Sequence, residues 1–203
     1  MTPFTGSACS IPAPVATFDC LTSYRATLVA RRPSHTDDIT VRFRTRKPNG
    51  ILFKTYYDYA EDSIEAVLRD GRVVLGVTLG NEGKVGLITN HVLCLKFAAF
   101  VHVTERCVLQ SISLCNDRAS FNDDLWHFLR IHRAAGTVHA WVDDCDKTEL
   151  ELEGANFKLN VDEVYFGQNK QGDGECFMGH MQSFVFNEVN IFDQIRNFSQ
   201  QGV

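Results

Sequence analysis

Beyond Pro14 the chain alternates apolar and polar positions with a period of two, the mark of half-buried β-strands. Ile39, Val41 and Phe43 alternate with Thr40, Arg42 and Arg44. That run stops at Lys47-Pro48-Asn49-Gly50, a turn sequence that launches Ile51 to Thr55. Ile64, Ala66 and Leu68 alternate up to Asp70-Gly71, which suits the positive φ of a two-residue hairpin, and Val73, Leu75, Val77 and Leu79 alternate beyond it. Leu125, His127, Leu129 and Ile131 alternate with Trp126, Phe128 and Arg130; a turn at Ala135-Gly136 returns the chain through Val138, Ala140 and Val142 to Asp143-Asp144. Glu163 to Gly167, Phe177 to Phe186 and Val189 to Phe192 supply the closing strands, with a turn around Asn187-Glu188 and a short helix near Phe192 to Ser199. No other segment sustains a 3.6-residue period. Short strands with turns about every 8 to 12 residues, and no helices between them, predict an all-β fold of antiparallel sheets packed face to face.

Length adds that 203 residues, 44% of them apolar, fit one core and therefore one domain. The net charge of −5 is mild and the 20 Lys and Arg are scattered, which excludes a nucleic-acid backbone as partner. Met1 to Pro14 shows no basic-then-apolar leader, and no apolar run of about 18 residues or more offers a membrane segment. The expectation is a piece of a larger parent. All five prolines lie at or before Pro48, so residues 1–15 read as an irregular lead-in.

Candidate chemistry is sparse. Seven cysteines without a CxxC pair suit neither a tidy disulfide framework nor a zinc ribbon, and leave at least one thiol free or paired outside the chain. Cys145 and Cys176 each flank a predicted strand and are one possible pair, Cys9 and Cys20 another; the sequence leaves the connectivity open. His91, Cys94, His102, Cys107 and Cys115 are zinc-ligand types, but their spacing matches no closed motif. There is no Gly-x-Ser-x-Gly elbow. Glu61, Asp62, Glu65, Asp143, Asp144 and Glu163 mostly occupy turns and strand ends, where acids serve as solvated turn formers rather than as a glycosidase pair. The chain is therefore expected not to be an enzyme. Trp126 is expected as an aromatic core anchor beside a half-exposed His127, and Trp141 as an aromatic facing solvent or a partner. Asn197-Phe198-Ser199 is an N-glycosylation sequon.

Three stretches go beyond periodicity. Ala16-Thr17-Phe18 followed by Asp38 to Phe53, with Arg44-Thr45-Arg46-Lys47-Pro48-Asn49-Gly50 at its centre, resembles the opening of a laminin G-like, or LNS, domain. Asp70-Gly71-Arg72-Val73 through Leu79-Gly80, then Phe121-Asn122-Asp123-Asp124-Leu125-Trp126-His127, resemble the family's hairpin and the start of a later strand. Phe177-Met178-Gly179-His180 through Phe186-Asn187 resembles its closing motif, and the Gly-His form is similar to some neurexin repeats. The resemblance runs from residue 16 to residue 196, leaving 197–203 as a tail.

The resemblance implies a jelly-roll-like sandwich in a secreted or cell-surface protein, binding another adhesion protein through rim loops or, alternatively, a glycan in the manner of a lectin. It further implies a possible Ca2+ at the rim, with ligands at Asn81, Glu82, Phe128 and Asn160; the strictest alignment puts Gly83 where the family has a carboxylate. In two places the chain departs from the pattern. Val85 to Asn116 stands where the family has a short connection, and is either an insertion or sequence foreign to the mature domain, because so long a loop is improbable in a compact sandwich. His180 stands where a cysteine is usual, so the family's C-terminal disulfide is not assumed.

Overall fold

The computed structural model describes residues 4–5, 11–28, 33–58, 62–79, 93–94, 107–115, 120–153, 157–172 and 174–195. In chain order the strands are β1 (Phe4–Thr5), β2 (Ile11–Pro12), β3 (Val15–Asp19), β4 (Tyr24–Thr27), β5 (Thr36–Arg44), β6 (Gly50–Tyr56), β7 (Ser63–Arg69) and β8 (Arg72–Thr78). They continue as β9 (Leu93–Cys94), β10 (Cys107–Ser113), β11 (His127–Ala134), β12 (Thr137–Val142), β13 (Thr148–Glu151), β14 (Glu163–Phe166), β15 (Met178–Phe186) and β16 (Val189–Asn190). A single turn of helix, α1 (Ile191–Ile195), follows and begins one residue before the expected position.

Two antiparallel sheets form the sandwich. One runs in the order β4-β14-β6-β7-β8-β10-β9; the other runs β13-β12-β11-β5-β15-β16, with β3 also paired to β15. The lead-in contributes the small β1-β2 pair. The alternation has the expected result: Ile39, Val41, Phe43, Leu129, Ile131, Val138, Ala140 and Val142 point inward and are at most 2% exposed. They meet Ile64, Ala66, Leu68, Val73, Leu75 and Val77 from the other sheet. Phe184 is the centre of the aromatic packing, edge-on to Phe53 at 5.0 Å and to Phe166 at 4.7 Å, geometry that aligns ring edges with ring faces.

Turn chemistry sets the registers. Asp70 and Gly71 take φ of 51° and 77°, and Asn187 and Glu188 take 46° and 70°, the left-handed pairs that tight hairpins need. Pro48 and Asn49 reach the first of these turns: the Pro48 carbonyl accepts from Gly71 N at 2.7 Å, and Asn49 Oδ1 accepts from Asp70 N at 2.8 Å.

The stretch expected as an insertion is not uniform. Its later part belongs to the fold, since β10 pairs with β8 from Leu109↔Thr78 to Ser113↔Val74, and Leu114 beyond it is fully buried. The stretch at 85–116, which looked foreign because of its length as a loop, is from residue 107 an ordinary strand of the first sheet.

The disulfides also correct the expected pairs. Cys20 bonds to Cys176 and Cys115 to Cys145, with Cα separations of 5.2 and 5.7 Å. Cys20 directly follows β3 and Cys176 precedes β15, strands that pair with Met178 opposite Asp19, so topology rather than chain proximity brings the two together. Cys145 is thereby unavailable to Cys176, and Cys20 to Cys9; Cys9 lies outside the described residues.

Candidate functional site

One rim of the sandwich gathers a buried carboxylate. Ser63 begins β7 opposite Thr78 at the end of β8, which places Asp62 and Leu79 at the same edge. Leu159 bridges to Ser34, and Leu28 N donates to Asp162 O at 2.7 Å, bringing residues 157–162 to that edge as well. There Asp62 is 2% exposed, and its Oδ2 accepts from the Asn160 backbone N at 2.8 Å and from Asn160 Nδ2 at 2.7 Å. A carboxylate with so little water around it is stabilised only by such donors or by a cation.

Of the four residues expected around calcium, Asn160 stands at this rim. Asn81 and Glu82 follow Leu79 by two and three residues and lie outside the described residues. Phe128 does not belong to the set. It pairs with Arg42 near one end of β5, whereas the Asn160 rim adjoins the other end, where Ala134 faces Thr36 and Leu159 faces Ser34. Six strand residues separate the two ends, roughly 20 Å. The Phe128 carbonyl accepts from Asp143 N at 2.9 Å, and its N donates to Asp143 Oδ1 at 2.7 Å. The acid at this rim is Asp62, read in the sequence as a solvated turn former although it stands directly before an alternating strand.

The donor set at the rim is oxygen-rich and lacks thiols, the ligand chemistry of a hard cation such as Ca2+. No cluster of three or more His, Cys, Asp or Glu able to hold a metal occurs among the described residues. Cys115 of the supposed zinc set is bonded to Cys145; His91 and His102 lie outside the described residues. Of the other acids weighed for hydrolysis, Glu65 is tied to Lys54 at 2.7 Å, and Glu163 to Arg25 at 2.8 Å and Lys170 at 3.3 Å.

The opposite rim carries His127. Trp126 and His127 exchange the expected roles: the imidazole is 4% exposed and the indole half-exposed. Inward alternation with Leu129 and Ile131 puts His127 between Phe43 and Phe121, at ring separations of 5.5 and 5.1 Å. Its Nδ1 lies 2.8 Å from Asp143 Oδ2 and its Nε2 2.9 Å from Asp123 Oδ1. Burial disfavours the imidazolium, but the hydrogen bonds and charges of Asp143 and Asp123 outweigh it and raise the His127 pKa above the ordinary histidine value.

A raised folded-state pKa contributes stability that is complete below the unfolded value of about 6.5 and is lost as pH rises through the folded value. Thermal melting should therefore fall as pH is increased through that range. His127→Gln should flatten this dependence and be less stable by about 1.5–3 kcal/mol below pH 6.5, the worth of hydrogen bonds to charged groups. An unchanged pH slope in the variant would show that another group titrates.

The sequence profile of the Laminin G domain family matches residues 43–189. Neurexin 1 of Drosophila melanogaster is 23% identical over 181 residues, 83% of this chain and 8% of the relative. Neurexin-2 of Homo sapiens is 21% identical over 201 residues, 97% of this chain and 10% of the relative. The chain thus spans about a tenth or less of these curated relatives.

Among solved structures, the LG1-3 region of the laminin alpha2 chain aligns with a TM-score of 0.64 at 16% identity, covering 88% of this chain and 32% of that one. Domains LG4-5 of the mouse laminin alpha1 chain give 0.62 at 14% identity, covering 93% and 45%. The binding domain of botulinum neurotoxin serotype D gives 0.55 at 9%, covering 97% and 49%, a likeness of fold alone. The jelly-roll sandwich is thereby shown, and two disulfides accord with an oxidising, extracellular setting. No helix among the described residues is long and apolar enough to cross a membrane. By its profile match over most of its length and its shared fold, the chain belongs to the laminin G domain family, whose members are extracellular adhesion-type binding modules.

Proposed function

We propose that the chain is a recognition module of a neurexin-like adhesion or receptor protein, turning over no substrate, and that its partner docks on the rim formed around Asp62 and Asn160. The observation that carries this reading is the buried Asp62 carboxylate at the edge that it shares with Leu79 and residues 157–162, held by two donors of Asn160. Loops on a rigid sandwich are where binding resides when the scaffold itself is fully packed. Asp62, with Asn81 or Glu82 from the adjoining loop and backbone carbonyls, supplies the hard oxygens that Ca2+ takes, so docking depends on calcium.

The test is calorimetric titration of calcium into the whole chain. Binding is expected at about 10⁻⁴ to 10⁻³ M, the range of extracellular modules. Asp62→Asn, which preserves shape and removes the charge, and Glu82→Ala should each weaken it. Folding is followed in parallel by the melt. Unaltered heats in the Asp62 variant, or none in the parent chain, would discard the calcium-linked rim.

A further inference from the structure

The outer face of the second sheet carries a ladder of rings and guanidinium groups that neither the core nor the Asp62 rim uses. The inward positions of β5, β11 and β12 are buried, so Arg42, Phe128, Arg130 and Trp141 share the outward face, with half-exposed Trp126 at its end. Arg42 Cζ lies 5.3 Å from the Trp126 ring centre while its Nη1 donates to Gln182 Oε1 at 3.4 Å. Arg130 Cζ lies 4.2 Å from that of Phe128 and 5.8 Å from that of Trp141. Among the described residues the acceptor of Arg130 is a backbone carbonyl, Asp143 O at 3.2 Å, and not a carboxylate. Its plane is held by rings, which leaves a pre-organised fork of donors suited to a bidentate anion.

Beside the ladder an open cleft of about 660 Å³ is lined by Leu125, Trp126 and Phe128 and by the carboxylates of Asp123, Asp143 and Asp144, the first two of which are hydrogen-bonded to His127. Leu125 is 63% exposed, a large apolar side chain directly beside the cleft.

We infer that this face binds an extended acidic segment of a protein partner, carboxylates at alternate positions engaging Arg42 and Arg130 and a neighbouring apolar side chain entering the cleft. The spacing supports it. Arg130 faces Thr40, so Arg42 is its diagonal neighbour, about 7–8 Å away. Alternate residues of an extended strand are about 6.6–6.8 Å apart on one side. Composition agrees, since Trp and Arg clustered with apolar neighbours are what dominate protein-binding surfaces. The groups stacked on the rings themselves are the guanidiniums of Arg42 and Arg130, which suit carboxylates. The face lies away from the Asp62 rim, so it goes beyond the calcium reading and does not depend on it.

The chain's two tryptophans are both in the ladder, so intrinsic fluorescence reports on it directly. The whole chain, with calcium chelated so that the rim plays no part, is titrated with a blocked peptide that alternates glutamate with threonine and ends on leucine. Saturable change in fluorescence is expected, weakened about tenfold or more when glutamine replaces glutamate. Arg130→Lys, which keeps the charge but loses the planar fork, should weaken it comparably. Thr40→Glu, placing a competing carboxylate opposite Arg130, should abolish it while the melt shows the variant folded. Equal binding of the glutamine peptide, full binding by Arg130→Lys, or no binding by the parent chain overturns the inference. So does a uronate oligosaccharide that binds where the peptide does not, which assigns the face to carbohydrate.

Discussion

Replacing Arg133 with methionine is expected to destabilise the folded chain by about 3–5 kcal/mol, because it leaves the Asp37 carboxylate buried without its counter-charge. Both side chains are 0% exposed. Arg133 Nε and Nη2 donate to Asp37 Oδ2 at 2.9 and 2.6 Å. The remaining donors reach Ala135 O at 3.1 Å, Phe157 O at 2.7 Å and Ser34 O at 2.7 Å. Asp37 Oδ1 accepts from Ser34 Oγ at 2.8 Å and from Asn187 Nδ2 at 3.0 Å. One guanidinium therefore joins the start of β5, the β11-β12 turn and the loop before β14, and its carboxylate partner holds the β15-β16 turn. Urea unfolding measures the effect as a lowered midpoint at unchanged slope. Asp37→Leu combined with Arg133→Met should recover only part of the loss. The charges vanish together, but the Ala135 and Phe157 carbonyls lose the donor that Arg133 gave them, and Ser34 O keeps only Leu159 N. Full recovery would mean that the pair acts only through charge.

This ion pair also shows where the sequence was silent. Arg133 stands at an inward position of β11 in phase with His127, Leu129 and Ile131, and Asp37 in phase with Ile39 and Val41. Periodicity alone takes a charged residue at such a place as the end of the strand; the partner lies 96 residues away, reached only through the pairing of β5 with β11. The hairpins were legible because their signals are local: Asp70-Gly71 and Asn187-Glu188 adopt the backbone their positions suggest. The core alternation was legible for the same reason, apart from β6, where the register shifts between Ile51 and Phe53 and Leu52 and Phe53 are both buried, and β15. There the register shifts between Gln182 and Val185, Ser183 takes φ of 51°, and Met181 and Phe184 both turn inward, three residues apart. A bulge resets parity, which a period-two pattern cannot display.

Of the residues expected together at a rim, Asn160 lies beside Asp62 and Phe128 lies toward the other end of the sheet. Placing a residue at one end of a strand or the other takes the register of the whole sheet, and motif spacing does not supply it. Asp62 resembled any solvated turn acid until Leu159 bridged to Ser34 and closed the rim over it. The disulfides escaped for a related reason, since Cys20 meets Cys176 through strand pairing that spans almost the full domain.

The two disulfides should differ in worth, and in a definite order. Cross-linking limits the unfolded chain in proportion to the logarithm of the loop closed. Cys20–Cys176 closes 156 residues and Cys115–Cys145 closes 30. The chain-entropy relation gives about 5 kcal/mol for the first and about 3.6 kcal/mol for the second. The folded state has reason to survive loss of the longer link, because five residue pairs between β3 and β15 and the Gln168 Nε2 bond to Cys20 O at 2.8 Å still hold its ends. The change is therefore carried mainly by the unfolded ensemble. Cys20→Ser with Cys176→Ser should lower the urea midpoint more than Cys115→Ser with Cys145→Ser, and should also steepen the denaturant slope, since an unlinked chain exposes more surface. If the shorter link proves the costlier to lose, loop entropy is not what ranks them. The packing of Cys115, 8% exposed next to fully buried Leu114, would then govern the order, and β10 would be the strand whose attachment limits the stability of the first sheet.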